Sequence, residues 1–93
     1  MKYIDMLGYR AKDRITGFEG TITSICFDLF GCIQATINPG LDKDGKFRDS
    51  AWFDINRLEF ISKKRVMEPP NFEDGYQAEA KQGAADKPIN YRY

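Results

Sequence analysis

Histidine is absent from this 93-residue chain, and only two cysteines, Cys26 and Cys32, are present. A Cys/His zinc site is excluded by that composition, since no CxxC spacing exists and no imidazole can complete a tetrahedral set. The same absence leaves Cys32 with no base to take its proton, so a thiol nucleophile has no support. Neither sign of charge dominates: fourteen Lys and Arg face fourteen Asp and Glu, for a formal net charge of +0. The long-range positive field of a nucleic-acid binder is therefore missing, and copies of the chain do not strongly repel one another. No stretch is long and apolar enough to span a bilayer, and residues 1–13 lack the apolar core of a signal peptide. A small secreted domain would more often carry several disulfides, so a soluble protein of a reducing compartment is expected, its cysteines buried or half-buried as free thiols, with a single bridge across a hairpin as the less favoured alternative.

What is present is an ordinary globular composition, 42% hydrophobic and 30% charged, which argues against disorder throughout and allows one small domain. The segment from Asp13 to Phe27, DRITGFEGTITSICF, carries the clearest structural signal. Gly17 and Gly20 flank Phe18 and Glu19, and a run rich in Ile and Thr follows, which reads as a turn feeding a strand. Ile22 and Ile25 lie three positions apart, so a β-bulge between them is needed to keep both facing inward. Ile15 and Phe18 are expected to fold back over the core as a lid.

Further along, Cys32 to Asn38 alternates cleanly, with Ile33, Ala35 and Ile37 on one face. Between these strands, Asp28-Leu29-Phe30-Gly31 reads as a turn whose two central residues are unusually apolar; packing over the end of the core is the simplest expectation for them. Asn38-Pro39-Gly40 ends the strand, and Asp44-Gly45 marks the tip of a charged hairpin arm. Ala51-Trp52-Phe53-Asp54 can return alongside, with one aromatic inward and the other outward. Ile55-Asn56-Arg57 reads as a single helical turn before Leu58-Glu59-Phe60-Ile61. The sum predicts an all-β fold: a small SH3-like, strongly bent antiparallel barrel with an irregular C-terminal extension. Residues 1–65 form the barrel domain with an N-terminal cover segment. Residues 66–93, punctuated by Pro69, Pro70, Gly75, Gly83 and Pro88, form the extension, with Phe72, Tyr76, Ile89, Tyr91 and Tyr93 as anchors onto the barrel or a neighbouring copy and a short helix near residues 75–81.

KDRITGF, GCIQA, NPGLDKDGK and WFDINRLE, with the later VMEPP and ADKP, together resemble a family of small uncharacterised proteins of tailed phages and prophages. The resemblance covers most of the chain beyond Tyr9. It implies a phage or prophage origin, a place in the host cytoplasm or in association with the virion, and no established catalytic activity.

No catalytic, cofactor-binding or metal-binding residue is expected. Asp42-Lys43-Asp44-Gly45-Lys46 has the opening of a calcium loop but not its terminal bidentate Glu, and a charged hairpin tip accounts for it better. Asp28 and Asp54 have no spacing that pairs them as acid and base. The candidate interface or ligand contacts are Phe18, Phe30, Trp52, Arg57, Tyr76, Tyr91 and Tyr93. Arg10, Lys12, Arg14, Arg57, Lys63, Lys64 and Arg65 offer partners to anions, but the interleaved aspartates weaken any phosphate field. The leading expectation is a non-enzymatic binding or assembly protein that contacts itself, or a phage or host protein. The alternatives are a stoichiometric inhibitor of host defence, a protein that sequesters a nucleotide signal, and, less favoured, a weak RNA- or DNA-binding SH3-like module.

Overall fold

The computed structural model describes residues 2–72. Five strands, β1 (Arg10–Asp13), β2 (Glu19–Phe27), β3 (Ile33–Asn38), β4 (Ala51–Asp54) and β5 (Leu58–Phe60), form one antiparallel sheet in the order β4-β3-β2-β1-β5. A 3-10 turn at Tyr3–Met6 precedes them, and a second at Ile55–Arg57 joins β4 to β5.

The sheet is built around β2, the nine-residue strand rich in Thr and Ile. Its first half pairs with β1 and nearly its whole length with β3. The register slips between Ile22 and Ser24, where Ile22 opposes Ile37 and Ser24 already opposes Thr36, leaving Thr23 as the extra residue. This is the expected bulge. It restores the inward face, because Ile25 then opposes Ala35 in the same inner row as Ile22 opposite Ile37.

The core is small: Ala11, Ile22, Ala35, Ile37, Phe53 and Leu58 are buried, with Met6, Leu7, Phe18, Ile25, Ala51 and Ile55 packed around them. Alternation along β4 sends Phe53 inward, 8% exposed, and Trp52 outward, 53% exposed. Close strand packing depends on Gly20, opposite Ala11: a side chain there would run into the backbone of Asn38 and Pro39.

The expected SH3-like barrel does not form. β4 and β5 are the two edges of an open sheet, and no ladder joins them among the described residues. The Ile55–Arg57 turn brings the end of one edge strand to the start of the other, but these strands have only four and three residues. Each pairs along one edge only, with β3 or β1, and strands this short give little length for the tilt and stagger that closure demands. Short edges of this kind also limit edge-to-edge pairing.

Residues beyond β5 turn back over the N-terminal segment. Val66 N–H donates to Gly8 O at 2.7 Å. Arg65 donates from Nε to Leu7 O at 3.0 Å and from Nη2 to Asp5 O at 2.7 Å, with its guanidinium 4.9 Å from the Tyr9 ring centroid.

Candidate contact surface

Two hairpin tips share one backbone design. Asp28 N–H donates to Cys32 O at 2.8 Å and Gly31 N–H to Asp28 O at 3.0 Å; Asp42 N–H donates to Lys46 O at 2.8 Å and Gly45 N–H to Asp42 O at 3.0 Å. In each, the leading aspartate folds its carboxylate over the turn, accepting from Phe30 N–H at 2.7 Å in one and Asp44 N–H at 2.8 Å in the other. Gly31 and Gly45 close the turns at φ values of 96° and 81°, the left-handed conformation that glycine adopts without strain. The second tip carries Lys43 and Asp44, ordinary solvent-facing residues. At the corresponding places the first carries Leu29 and Phe30, 92% and 88% exposed.

Leu29 and Phe30 therefore do not pack over the end of the core, contrary to the expectation from their apolar character. The hydrogen-bonded turn holds them clear of it.

Behind this tip lies an apolar groove. Past Ile22, β2 has no strand partner among the described residues on the side away from β3, and the N-terminal turn and the chain near Phe72 approach it there instead. Ile4, Leu7, Thr23, Ile25, Phe27 and Phe72 line a groove of about 320 Å³. Leu7, Thr23 and Phe72 continue into a second apolar hollow walled by Met67, Pro69 and Pro70. Tyr3 meets Phe27 edge to face, ring centroids 6.2 Å apart. Since Phe27 leads directly into Asp28, the groove and the apolar tip occupy the same end of the molecule.

The remaining candidate residues are dispersed. Phe18 is half-buried against the core, its ring 5.3 Å from that of Phe53, and behaves as a packing residue. Ile15, expected beside it, is exposed. Trp52 stands on the outer face opposite Thr36, whose Oγ1 is buried without a hydrogen-bond partner. Tyr76, Tyr91, Tyr93 and the helix expected near residues 75–81 lie outside the described residues.

Arg57 is committed to structure. Its Nε donates to Asp13 Oδ1 at 2.7 Å and its Nη2 to Asp13 Oδ2 at 2.6 Å, while the guanidinium sits 5.3 Å from the Phe53 ring centroid. Asp13 is fully buried. It also accepts from Thr16 Oγ1 at 2.5 Å and Thr16 N–H at 3.0 Å. The Arg57 hydrogen bonds hold the Asp13 carboxyl well below the usual carboxylate range against the opposing effect of burial, with Thr16 assisting, and Asp13 in turn raises Arg57. The sequence offered no direct sign of this pair; the only hint was an aspartate immediately preceding a glycine-bearing turn.

Among the described residues, the other candidate groups are not assembled into a site. Asp42 Oδ1 accepts from Asp44 and Lys46 N–H, so it staples the turn. Asp28 caps its own hairpin, and Asp54 caps the corner turn by accepting from Asn56 N–H at 2.9 Å. Cys26 and Cys32 are free and exposed, which corrects their expected burial. Among the described residues no group of three or more Cys, Asp or Glu side chains gathers in a metal-binding arrangement.

No protein-family model, no curated protein and no solved structure matches this chain. The segments that carry the expected family resemblance fall largely at corners of the fold, except ADKP, which lies outside the described residues. KDRITGF is the β1–β2 turn, GCIQA leaves the apolar tip, NPGLDKDGK is the second hairpin, and WFDINRLE is β4, the corner turn and the start of β5. Turn chemistry of this kind recurs wherever a backbone needs it.

Proposed function

We propose that this protein is a non-enzymatic binding or assembly module that works through protein–protein contacts, with Leu29 and Phe30 as its leading contact residues. The observation that carries the reading is the contrast between the two tips. One hydrogen-bonded turn serves both, and the Lys43-Asp44 tip shows that it is met by polar residues; the fold does not require Leu29 and Phe30 to be apolar. Large apolar side chains on a rigid protrusion lose their contact with water only when a partner covers them, and their ordering has already been achieved by the turn.

Arg10 lies 3.5 Å from Glu19, Lys12 3.7 Å from Glu59, Arg57 2.6 Å from Asp13 and Arg65 3.1 Å from Glu68. Four of the seven cations considered for anion binding thus face carboxylates, which favours a protein partner over a nucleotide or nucleic acid. The phage or prophage setting implied by the sequence resemblance, with assembly or a host protein as the target, belongs to the same proposal.

A photo-crosslinking amino acid at position 29, in the protein expressed in bacterial cells, tests the reading. A discrete protein adduct is expected, and the same probe at position 43 should give none. Absence of any protein adduct from position 29 overturns it.

A further inference from the structure

Building on that contact reading, we infer that the partner of the Leu29–Phe30 tip is the apolar groove of a second copy of this chain, in a reciprocal two-fold dimer. The argument begins with area. Tyr3, Ile4, Phe27, Leu29, Phe30 and Phe72 are 44%, 42%, 61%, 92%, 88% and 51% exposed. At roughly 150–250 Å² for a whole aromatic side chain, they leave on the order of 700 Å² of apolar surface at one end of the molecule. The largest such patch on a typical monomer is about 300–600 Å². Covering this one in two copies removes about 1,400 Å², inside the roughly 1,200–2,000 Å² of a specific stable interface.

Shape narrows the occupant. The patch has a convex part, two side chains on a turn fixed by its own hydrogen bonds, and a concave part, the groove of about 320 Å³ with an almost entirely apolar lining. That volume is at the small end for a ligand pocket and suits a pair of side chains. Leu29 and Phe30 are absent from the lining of their own groove and stay 92% and 88% exposed, so one copy leaves both parts unfilled. Two copies can satisfy both.

Placement then sets the symmetry. A protrusion and a recess on opposite ends of a molecule generate open filaments; on the same end, a two-fold axis lets each tip enter the other copy's groove at once and closes the assembly. Phe27 lines the groove and Asp28 begins the turn one residue later. The tip carries the exposed Asp28, and the surface beside Ile4 and Phe72 carries both Lys2 and Asp5, so charge neither favours nor opposes the exchange. The carboxylate at the tip, with no Lys or Arg from residue 26 to residue 34, argues against insertion into an anionic membrane surface.

The test uses the full chain in light scattering coupled to size exclusion over a concentration series. Wild type should run as a dimer at high concentration. L29K/F30D, which transplants the polar pair of the second tip, and F72D, which places a charge in the groove, should each run as monomers with unchanged far-ultraviolet circular dichroism. Mixing the two variants should give at most weak association, because a single tip-and-groove contact covers about half of the surface and falls below the roughly 1,200 Å² of a stable interface. A wild type that stays monomeric overturns the inference, as does either variant dimerising as wild type does. So does association of wild type only with phosphatidylcholine vesicles. A monomeric wild type that still gives a heterologous adduct from position 29 removes the dimer alone and leaves the contact reading standing.

Discussion

Arg57 grips the buried carboxylate of Asp13 through two hydrogen bonds of 2.7 and 2.6 Å across 44 positions of sequence. The pair fastens the end of β1 to the corner between β4 and β5, and Arg14 N–H donates to Arg57 O at 2.8 Å beside it. Removing one partner should therefore cost more than removing both. Arg57→Ala strands a buried charge, and a fall in Tm on the order of 10 °C is expected. Asp13→Asn combined with Arg57→Ala should recover part of that loss. Thermal unfolding of both single variants and the double variant measures the coupling, and additive losses would count against the pair as a unit.

The same carboxylate makes stability depend on acid. Asp13 is held below its ordinary value of 3.8 in the folded chain, so the unfolded chain binds its proton more readily. Its contribution is complete above that ordinary value and is lost as pH falls from about 4 toward the lower folded value. Wild type and Asp13→Asn should thus differ most in stability near neutrality and converge below pH 4. Urea titrations at a series of pH values would show this, and a constant difference across the range would contradict it.

Two glycines separate crowding from backbone strain. Gly31→Ala puts a side chain into open space at positive φ and should cost about 1 kcal/mol. Gly20→Ala meets the backbone of Asn38 and Pro39, which cannot swing aside as a side chain does; a loss of about 3 kcal/mol or failure to fold is expected. Chemical denaturation ranks the two, and equal losses would dispose of the distinction.

Thr36 offers a gain. Its hydroxyl is buried without a partner, and Thr36→Val removes that polar group at similar volume. An increase of roughly 1 kcal/mol is expected, seen as a rise in Tm of about 4–8 °C. No rise, or a fall, would mean that the hydroxyl is satisfied in solution.

Much of the sheet was legible in the sequence because its strands obey period two and its corners use Asp, Asn, Pro and Gly where the backbone demands them. The bulge at Thr23 followed from the three-residue spacing of Ile22 and Ile25, and the opposed fates of Trp52 and Phe53 from their adjacency in a strand. Closure into a barrel was not legible. It depends on whether the free edges of the two short outer strands meet in space, and a local pattern carries no record of that long-range geometry. At the surface, Leu29 and Phe30 stood out as apolar turn residues, but only the hydrogen bonds from Asp28 and Gly31 show that the turn holds them away from the core. Arg57 attracted notice as a charge beside aromatics; its engagement by Asp13 is a long-range fact that no local window contains.

Arg65 adds a consequence for the order of events during synthesis. It holds the carbonyls of Asp5 and Leu7 from 60 and 58 positions downstream, and the 3-10 turn it stabilises is too short to persist by itself. The Tyr3–Met6 turn consequently waits for the whole sheet to be synthesised before it settles. Until then the stretch of β2 beside Ile4 and Leu7 is bare, and that interval is when a nascent chain is most open to capture by a chaperone or by another unfinished copy.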